Sequence, residues 1–175
     1  MAYRCLRSRK QKGKAMVQDS KPTRTDRARM RATPPALFSV FMVAGVLAHT
    51  LSPEPFLPAW GDLWLGLVFL ALAGVLMVWA VLTMRRHETT IHPRGATTAI
   101  VTDGPFRLTR NPLYLSLSLI YLGTACLLNS LWMALLVFAF MICLQLVVIR
   151  AEERYLEAKF GDVYRAYRAQ VRRWL

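Results

Sequence analysis

The sequence predicts an all-α integral membrane protein with four transmembrane helices and a cytoplasmic amphipathic helical region at the carboxyl end. Three observations lead there. The 175 residues are 55% hydrophobic yet carry a formal net charge of +13, a combination that soluble domains of this size do not usually show. The two properties occupy different places. Four apolar runs, roughly Pro35 to Leu51, Leu63 to Met84, Leu113 to Leu128 and Leu131 to Ile149, contain no Asp, Glu, Lys or Arg. Finally, the 23 Lys and Arg residues fall into three segments: eleven before Pro34, five between Arg85 and Arg110, and seven from Arg150 onward.

Each run is long enough for its assignment. At 1.5 Å per helical residue even the shortest reaches about 24 Å, close to a hydrocarbon layer of about 30 Å once interfacial flanks are added. As soluble helices, four such runs need more polar covering surface than this chain supplies. The connections "SPEPFLPAWGD" and Asn129-Ser130 carry no Lys or Arg. The positive-inside rule therefore puts both termini and the middle loop in the cytoplasm and the two short turns outside. The basic residues read as topology signals and headgroup contacts. No nucleic-acid partner is expected, because no basic patch accompanies a recognisable nucleic-acid-binding fold.

Residues 1–33 are rich in charge and lack hydrophobic periodicity, the pattern of a disordered basic arm preceding a membrane domain over 34–175. Met30 opens "MRATPP" directly before the first span and offers an alternative translation start. The arm does not read as a cleaved signal peptide, since it has no clean A-x-A site. The cysteines, Cys5, Cys126 and Cys143, are odd in number and form no C-x-x-C; two sit in spans as small packing residues, and neither a disulfide framework nor a metal site is indicated.

Within the spans the polar candidates for chemistry are His49 and Gln145. A transporter or proton relay needs ionisable groups at membrane depth, so attention moves to the inner interface, where almost every reactive side chain lies. The middle loop brings His87, Glu88 and His92, but the spacing is not H-E-x-x-H, and five residues separate the histidines by about 140° around a helix. Thr97 to Gly104, "TTAIVTDG", reads as an extended piece closed by a turn at Asp103-Gly104-Pro105, with Gly104 supplying backbone freedom. Arg107 and Arg110 follow, positioned to anchor a span to phosphates. Asn111-Pro112 reads as a helix start, with Asn as cap and Pro at the first helical position.

The tail begins as a continuation of the fourth span, which runs without a breaker into Arg150, Glu152 and Glu153. Beyond it, Leu156, Phe160, Val163, Tyr167, Val171 and Trp174 recur at spacings of three and four. This is an amphipathic pattern whose other faces carry Arg165, Arg168, Arg172 and Arg173, suited to an anionic membrane surface, with a kink expected at Gly161. Two carboxylates facing two arginines at the interface would make a site for a polar cofactor, with an apolar substrate arriving from the lipid.

Taken together, "TTAIVTDGPFRLTRNPLYLS" and "EERYLEAKFGDVYRAYRAQVRRWL" resemble the bacterial members of the isoprenylcysteine carboxyl methyltransferase family, which is related to phospholipid N-methyltransferases. The resemblance covers roughly His92 to Leu175. It implies an S-adenosylmethionine-dependent methyltransferase of the bacterial inner membrane, acting on a lipophilic small molecule, a lipid, a carboxylate or a thiol, with the cofactor held between residues 92–116 and 150–175. By the same resemblance the cofactor is bordered by Thr98, Ala99, Ile100 and Val101, by Phe106, by the tetrad Asn111, Pro112, Leu113 and Tyr114, and by a glutamate, Glu152 or Glu153, with Arg110 expected at the pocket's edge; Arg150 matches a substrate-facing catalytic arginine. Eukaryotic members have histidine where Asn111 stands and carry extra amino-terminal spans, so prenylcysteine is not the expected substrate. Two alternatives stay open: an NADPH-dependent reductase of the sterol-reductase type, whose carboxyl-terminal architecture is related, and a non-enzymatic membrane scaffold.

Overall fold

A computed structural model describes residues 33–58, 61–87 and 100–175. The expected basic arm, apart from Thr33, lies outside the described residues, as do Glu88 and His92. Six α helices are described: α1 (Pro34–Leu51), α2 (Asp62–Arg86), α3 (Pro112–Leu127), α4 (Leu131–Cys143), α5 (Arg150–Phe160) and α6 (Asp162–Gln170). A single 3-10 turn, Gly104–Arg107, precedes α3, and a π-helical stretch, Leu144–Ile149, joins α4 to α5. All regular structure among the described residues is helical. Three stretches are long and apolar enough to cross a membrane: Pro34–Leu51, Asp62–Arg86 and the continuous Leu131–Phe160. The fourth run expected to span forms α3, which is apolar but only 16 residues long.

That short helix is the centre of the bundle, packed against α2 on one side and against α1 and α4 on the other. Its buried positions include Tyr114, Ser116, Ser118, Tyr121, Gly123, Ala125 and Cys126. Small residues dominate the list because lipid supplies no hydrophobic drive between helices, and close backbone approach has to hold them together. Helix α2 answers with Gly66, Ala73 and Ala80, spaced by seven, which keeps one small-residue stripe facing α3. Contact along this seam is tight. A Cβ at Gly66 would lie 2.6 Å from the Leu127 side chain and 3.0 Å from the Gly123 carbonyl, and one at Gly123 would lie 3.1 Å from the Gly66 carbonyl.

On its other side α3 enters an aromatic group. Phe38 and Phe41 of α1, Tyr121 of α3 and Phe140 of α4 meet at centroid separations of 5.7 to 6.2 Å, the range of favourable edge and offset contacts. The Tyr121 hydroxyl donates to the Phe41 carbonyl at 2.8 Å, and Gly45 makes room for it: a Cβ there would sit 2.6 Å from the hydroxyl oxygen. Hydroxyls within α3 are satisfied one turn back, Ser116 on Pro112, Ser118 on Tyr114 and Thr124 on Ile120, so no polar side chain of this set faces hydrocarbon unpaired.

At the end remote from the arginines, the three-residue turn between α3 and α4 organises the loop after α1. Asn129, with φ +45°, accepts from the Phe56 and Leu57 amides and donates to the Leu57 carbonyl, each at 2.9 Å. Ser130 caps α4 by accepting from the Met133 amide.

The kink expected at Gly161 is present. Gly161, with φ +54°, breaks the helix between α5 and α6 and resets its phase. Tyr164 and Tyr167 turn inward, while Val163 is 61% exposed. One helical period therefore does not run through Gly161.

Adding only a methyl to the α2–α3 seam tests its role. Gly66→Ala and Gly123→Ala are expected to cost about 1–3 kcal/mol by overpacking, read as a lower thermal midpoint in detergent. Gly74→Ala, whose Cβ meets nothing within 4 Å, is expected to leave the midpoint unchanged or raise it.

Candidate functional site

The site is built where the chain returns from α2 to α3. Gly104, at φ +57°, adopts a conformation that favours glycine. Its bare Cα also lets the turn approach α2: a Cβ would lie 2.7 Å from Thr83 Oγ1 and 3.2 Å from Trp79 Nε1. His87 Nε2, at the end of α2, lies 2.9 Å from Asp103 Oδ1. That contact holds the Asp103 carboxyl below its ordinary value. On the other side of the turn the Tyr167 hydroxyl donates to the Phe106 carbonyl at 2.7 Å. The turn is thus clamped between α2 and α6.

The next residues form a corner. Thr109 Oγ1 accepts from the Asn111 amide at 3.1 Å and donates to the Arg173 carbonyl at 3.0 Å. Asn111 stands at the cap position of α3 with Pro112 behind it, as the sequence suggests, but its side chain does not cap the helix. Its Nδ2 instead donates to the Arg173 carbonyl at 2.9 Å. Proline at the first helical position sets the helix dihedral without a side-chain cap, and the Asn111 amide group faces the tail.

Glutamates from α5 meet this corner. Glu153 is shared: Arg110 Nη1 lies 3.1 Å from its Oε1, and Arg173 donates from Nε to Oε1 at 3.0 Å and from Nη2 to Oε2 at 2.7 Å. Two guanidinium groups on one carboxylate leave this trio with a net positive charge. It is well shielded, with side-chain exposures of 9% for Arg110, 10% for Glu153 and 27% for Arg173. Arg110 Nη1 also reaches the Tyr164 hydroxyl at 3.4 Å, while the buried Arg110 Nε has no partner among the described residues. Glu152, one position earlier and about 100° around the helix, takes a different partner: the Tyr114 hydroxyl donates to its Oε2 at 2.9 Å. Burial raises the Tyr164 and Tyr167 phenols above their ordinary value.

Of the residues singled out from sequence, Arg110, Asn111, Pro112, Tyr114, Glu152 and Glu153 are brought together. Phe106 lies at the turn and Leu113 at the start of α3, both half-buried. Val101 is buried and Ile100 half-buried ahead of the turn; Thr98 and Ala99 lie outside the described residues. Arg150 stands apart. Its side chain is exposed, and its carbonyl accepts from Arg154 Nε. Arg107 is exposed as well, so of the two arginines in "GPFRLTR" only Arg110 enters the cluster. Sequence reading missed Thr109 and Tyr164, and it put Arg173 with the membrane-facing arginines, whereas Arg173 folds back onto Glu153. No local pattern distinguishes Arg173 from its neighbour Arg172, whose side chain is exposed.

Residues 62–163 match the phospholipid methyltransferase family. The chain belongs to that family. Membership places it among membrane methyltransferases, in agreement with the resemblance carried by the corner and tail motifs. The matched region runs from α2 into the start of α6, and so contains Arg110, Tyr114 and both glutamates but not Arg173. A curated protein of Haemophilus influenzae, described as uncharacterized, is 51% identical over 65 residues, which is 36% of this chain and all of that protein. No solved structure matches.

Two measurements check this geometry. Glu153→Ala strands two guanidinium groups, and loss of one partner from a buried ion pair costs about 3–5 kcal/mol; its thermal midpoint is expected to fall further than that of Arg173→Ala, which still leaves Glu153 paired with Arg110. The raised tyrosines set an alkaline limit. In the unfolded chain their phenols ionise near pH 10, whereas folding keeps them protonated to higher pH. Their stabilising contribution is therefore complete below about pH 10 and declines above it. Between pH 9 and 11 the wild-type midpoint is expected to drop more than that of a Tyr164→Phe/Tyr167→Phe variant.

Proposed function

We propose that the chain transfers a methyl group from S-adenosylmethionine to a lipophilic acceptor, a lipid or small molecule bearing a carboxylate, thiol or other nucleophile, at the cytoplasmic face of a bacterial inner membrane. In this reading the bundle crosses the membrane four times, with both termini inside, and the basic residues mark the cytoplasmic end. The observation that carries the proposal is convergence. The Arg110–Tyr114 corner and the Glu152–Glu153 pair, separated by about forty positions in sequence, meet at one end of the bundle within the region matched to the family.

The residues fit a nucleoside with a charged amino-acid end. Two carboxylates can accept from ribose hydroxyls or an ammonium; the Asn111 amide, the Thr109 hydroxyl and the unpartnered Arg110 Nε can serve a carboxylate. Phe106 and Tyr114 offer ring faces to a cationic sulfonium, and Ile100, Val101 and Leu113 add apolar wall. When bound, S-adenosylmethionine supplies an electrophilic methyl group for in-line displacement, which needs alignment and removal of water more than an acid–base pair. Arg150 lies three residues before Glu153 on the same helix and outside the buried cluster, where it can orient an anionic acceptor arriving along the membrane surface. The family match favours this reading over NADPH-dependent reduction and over a scaffold.

Calorimetric titration of the detergent-purified protein separates these readings. Heat is expected with S-adenosylmethionine and with its demethylated product. Heat with NADPH alone would instead indicate a reductase, and none with any of the three a scaffold. Tyr114→Ala and Glu152→Ala are each expected to weaken cofactor binding by about ten- to a hundredfold, the loss of a hydrogen bond to a charged group. Arg172→Ala, altering an exposed side chain, is expected to leave it nearly unchanged.

A further inference from the structure

After α6 the chain turns extended at Val171, with φ −119° and ψ 132°, and its last residues run back across the corner as a strap. The Arg110 amide donates to the Arg172 carbonyl at 3.0 Å. Arg173 contributes its carbonyl to Thr109 and Asn111 and its guanidinium to Glu153. Trp174 Nε1 donates to Gln145 Oε1 at 3.0 Å, on the π-helical stretch.

Arg173 therefore presents two things to the protein: an oxygen acceptor for an amide and a hydroxyl, and a cation for a carboxylate. The amino-acid end of S-adenosylmethionine presents the same pair, a carboxylate and an ammonium. With the strap in place, the Thr109 hydroxyl proton is used and the Glu153 carboxylate already accepts from two guanidinium groups, so a ligand's hydroxyl or ammonium has to compete for it. Among the described residues of the corner, Arg110 Nε is a buried donor left over, and a carboxylate accepts more donors than a single carbonyl does. Arg173 is 27% exposed and Leu175 72% exposed, which leaves the guanidinium close to water, so release of the strap mainly requires undocking Trp174, which packs against the core.

Building on the methyltransferase reading, we infer that Arg173 is an intramolecular stand-in for the amino-acid end of the cofactor: strap and cofactor compete for Thr109, Asn111 and Glu153, and the strap swings out when the cofactor binds. Arg173 is a gating residue here and not a catalytic one. A strap closed about nine-tenths of the time weakens apparent affinity about tenfold.

The test uses the full chain in detergent with S-adenosylmethionine as probe, and has two readouts: calorimetric affinity, and removal of Leu175 and Trp174 by carboxypeptidase followed by intact mass. Added S-adenosylmethionine is expected to speed clipping of the wild type. Arg173→Ala is expected to be clipped quickly without ligand and to bind about tenfold more tightly. Trp174→Phe, which loses the Gln145 bond and part of the ring's packing against the core, is expected to shift both readouts the same way by less, and it carries the test should Arg173→Ala fail to fold. If S-adenosylmethionine protects the carboxyl end, or if the variants that fold bind equally or more weakly, the strap is a fixed wall and the inference is overturned. No heat from the wild type or either variant would remove the methyltransferase reading and this inference together, whereas heat from the wild type with no gain in the variants removes only the strap.

Discussion

One carboxylate, Glu153, pairs with two guanidinium groups that reach it from distant parts of the chain, Arg110 ahead of α3 and Arg173 near the carboxyl end. The rest of the basic end depends on this pairing. Removing charges from water is expensive, and a buried ion pair offsets that cost only when its geometry and its remaining hydrogen bonds are complete. The interaction consequently fixes three elements at once: the corner before α3, the first turns of α5, and the strap. Tyr164 and the Thr109–Asn111 pair complete the shell around it.

Two features of the bundle deliver the groups to that point. The first is the glycine and alanine seam, which brings α2 and α3 to backbone contact and fixes where α2 ends. Thr83 and Trp79, near that end, receive the Gly104 turn, and the turn leads directly into Arg110. The second is the unbroken helix Leu131–Phe160, which carries Glu152 and Glu153 from the apolar bundle to its basic end. Its π-helical stretch changes the aim of everything that follows: each extra residue in a helix rotates the remainder by about 100°. Val148 and Ile149 are both fully buried there, which a uniform 3.6-residue period on a half-exposed helix does not favour.

Much of this was legible in the sequence, because the signals concerned are local or compositional. Charge-free runs gave the helices, Gly104 and Asn111-Pro112 gave the turn and the helix start, and the two glutamates were readable as an extension of the last apolar run. The missed features all depend on tertiary competition. The Asn111 side chain can cap a helix or bond elsewhere, and only the arrival of the Arg173 carbonyl decides between them. The Tyr164 position follows from the phase break at Gly161, whose extent periodicity does not reveal. Arg173 and Arg172 are adjacent and chemically identical, so which one turns inward is set by the direction of the strap. Helix α3 read as a span by its apolarity, yet its 16 residues make it shorter than the three stretches long enough to cross a membrane, and its burial comes from central packing.

The adjacency of Glu152 and Glu153 explains how one end of the bundle can be both rigid and open to movement. Consecutive helical residues point about 100° apart, so the two carboxylates serve different neighbours. Glu152 binds Tyr114, on a helix held by the glycine seam and by the aromatic group around Tyr121. Glu153 binds the arginines, one on the fixed corner and the other on the strap. Helix α5 is thereby tied to α3 through Tyr114 and to the corner through Arg110, and neither tie involves the strap. Loss of the Arg173 contacts would remove one cation from Glu153 while leaving those two ties in place. Movement can therefore be confined to the last few residues, at the place where the polar groups converge, without loosening the helices that position them.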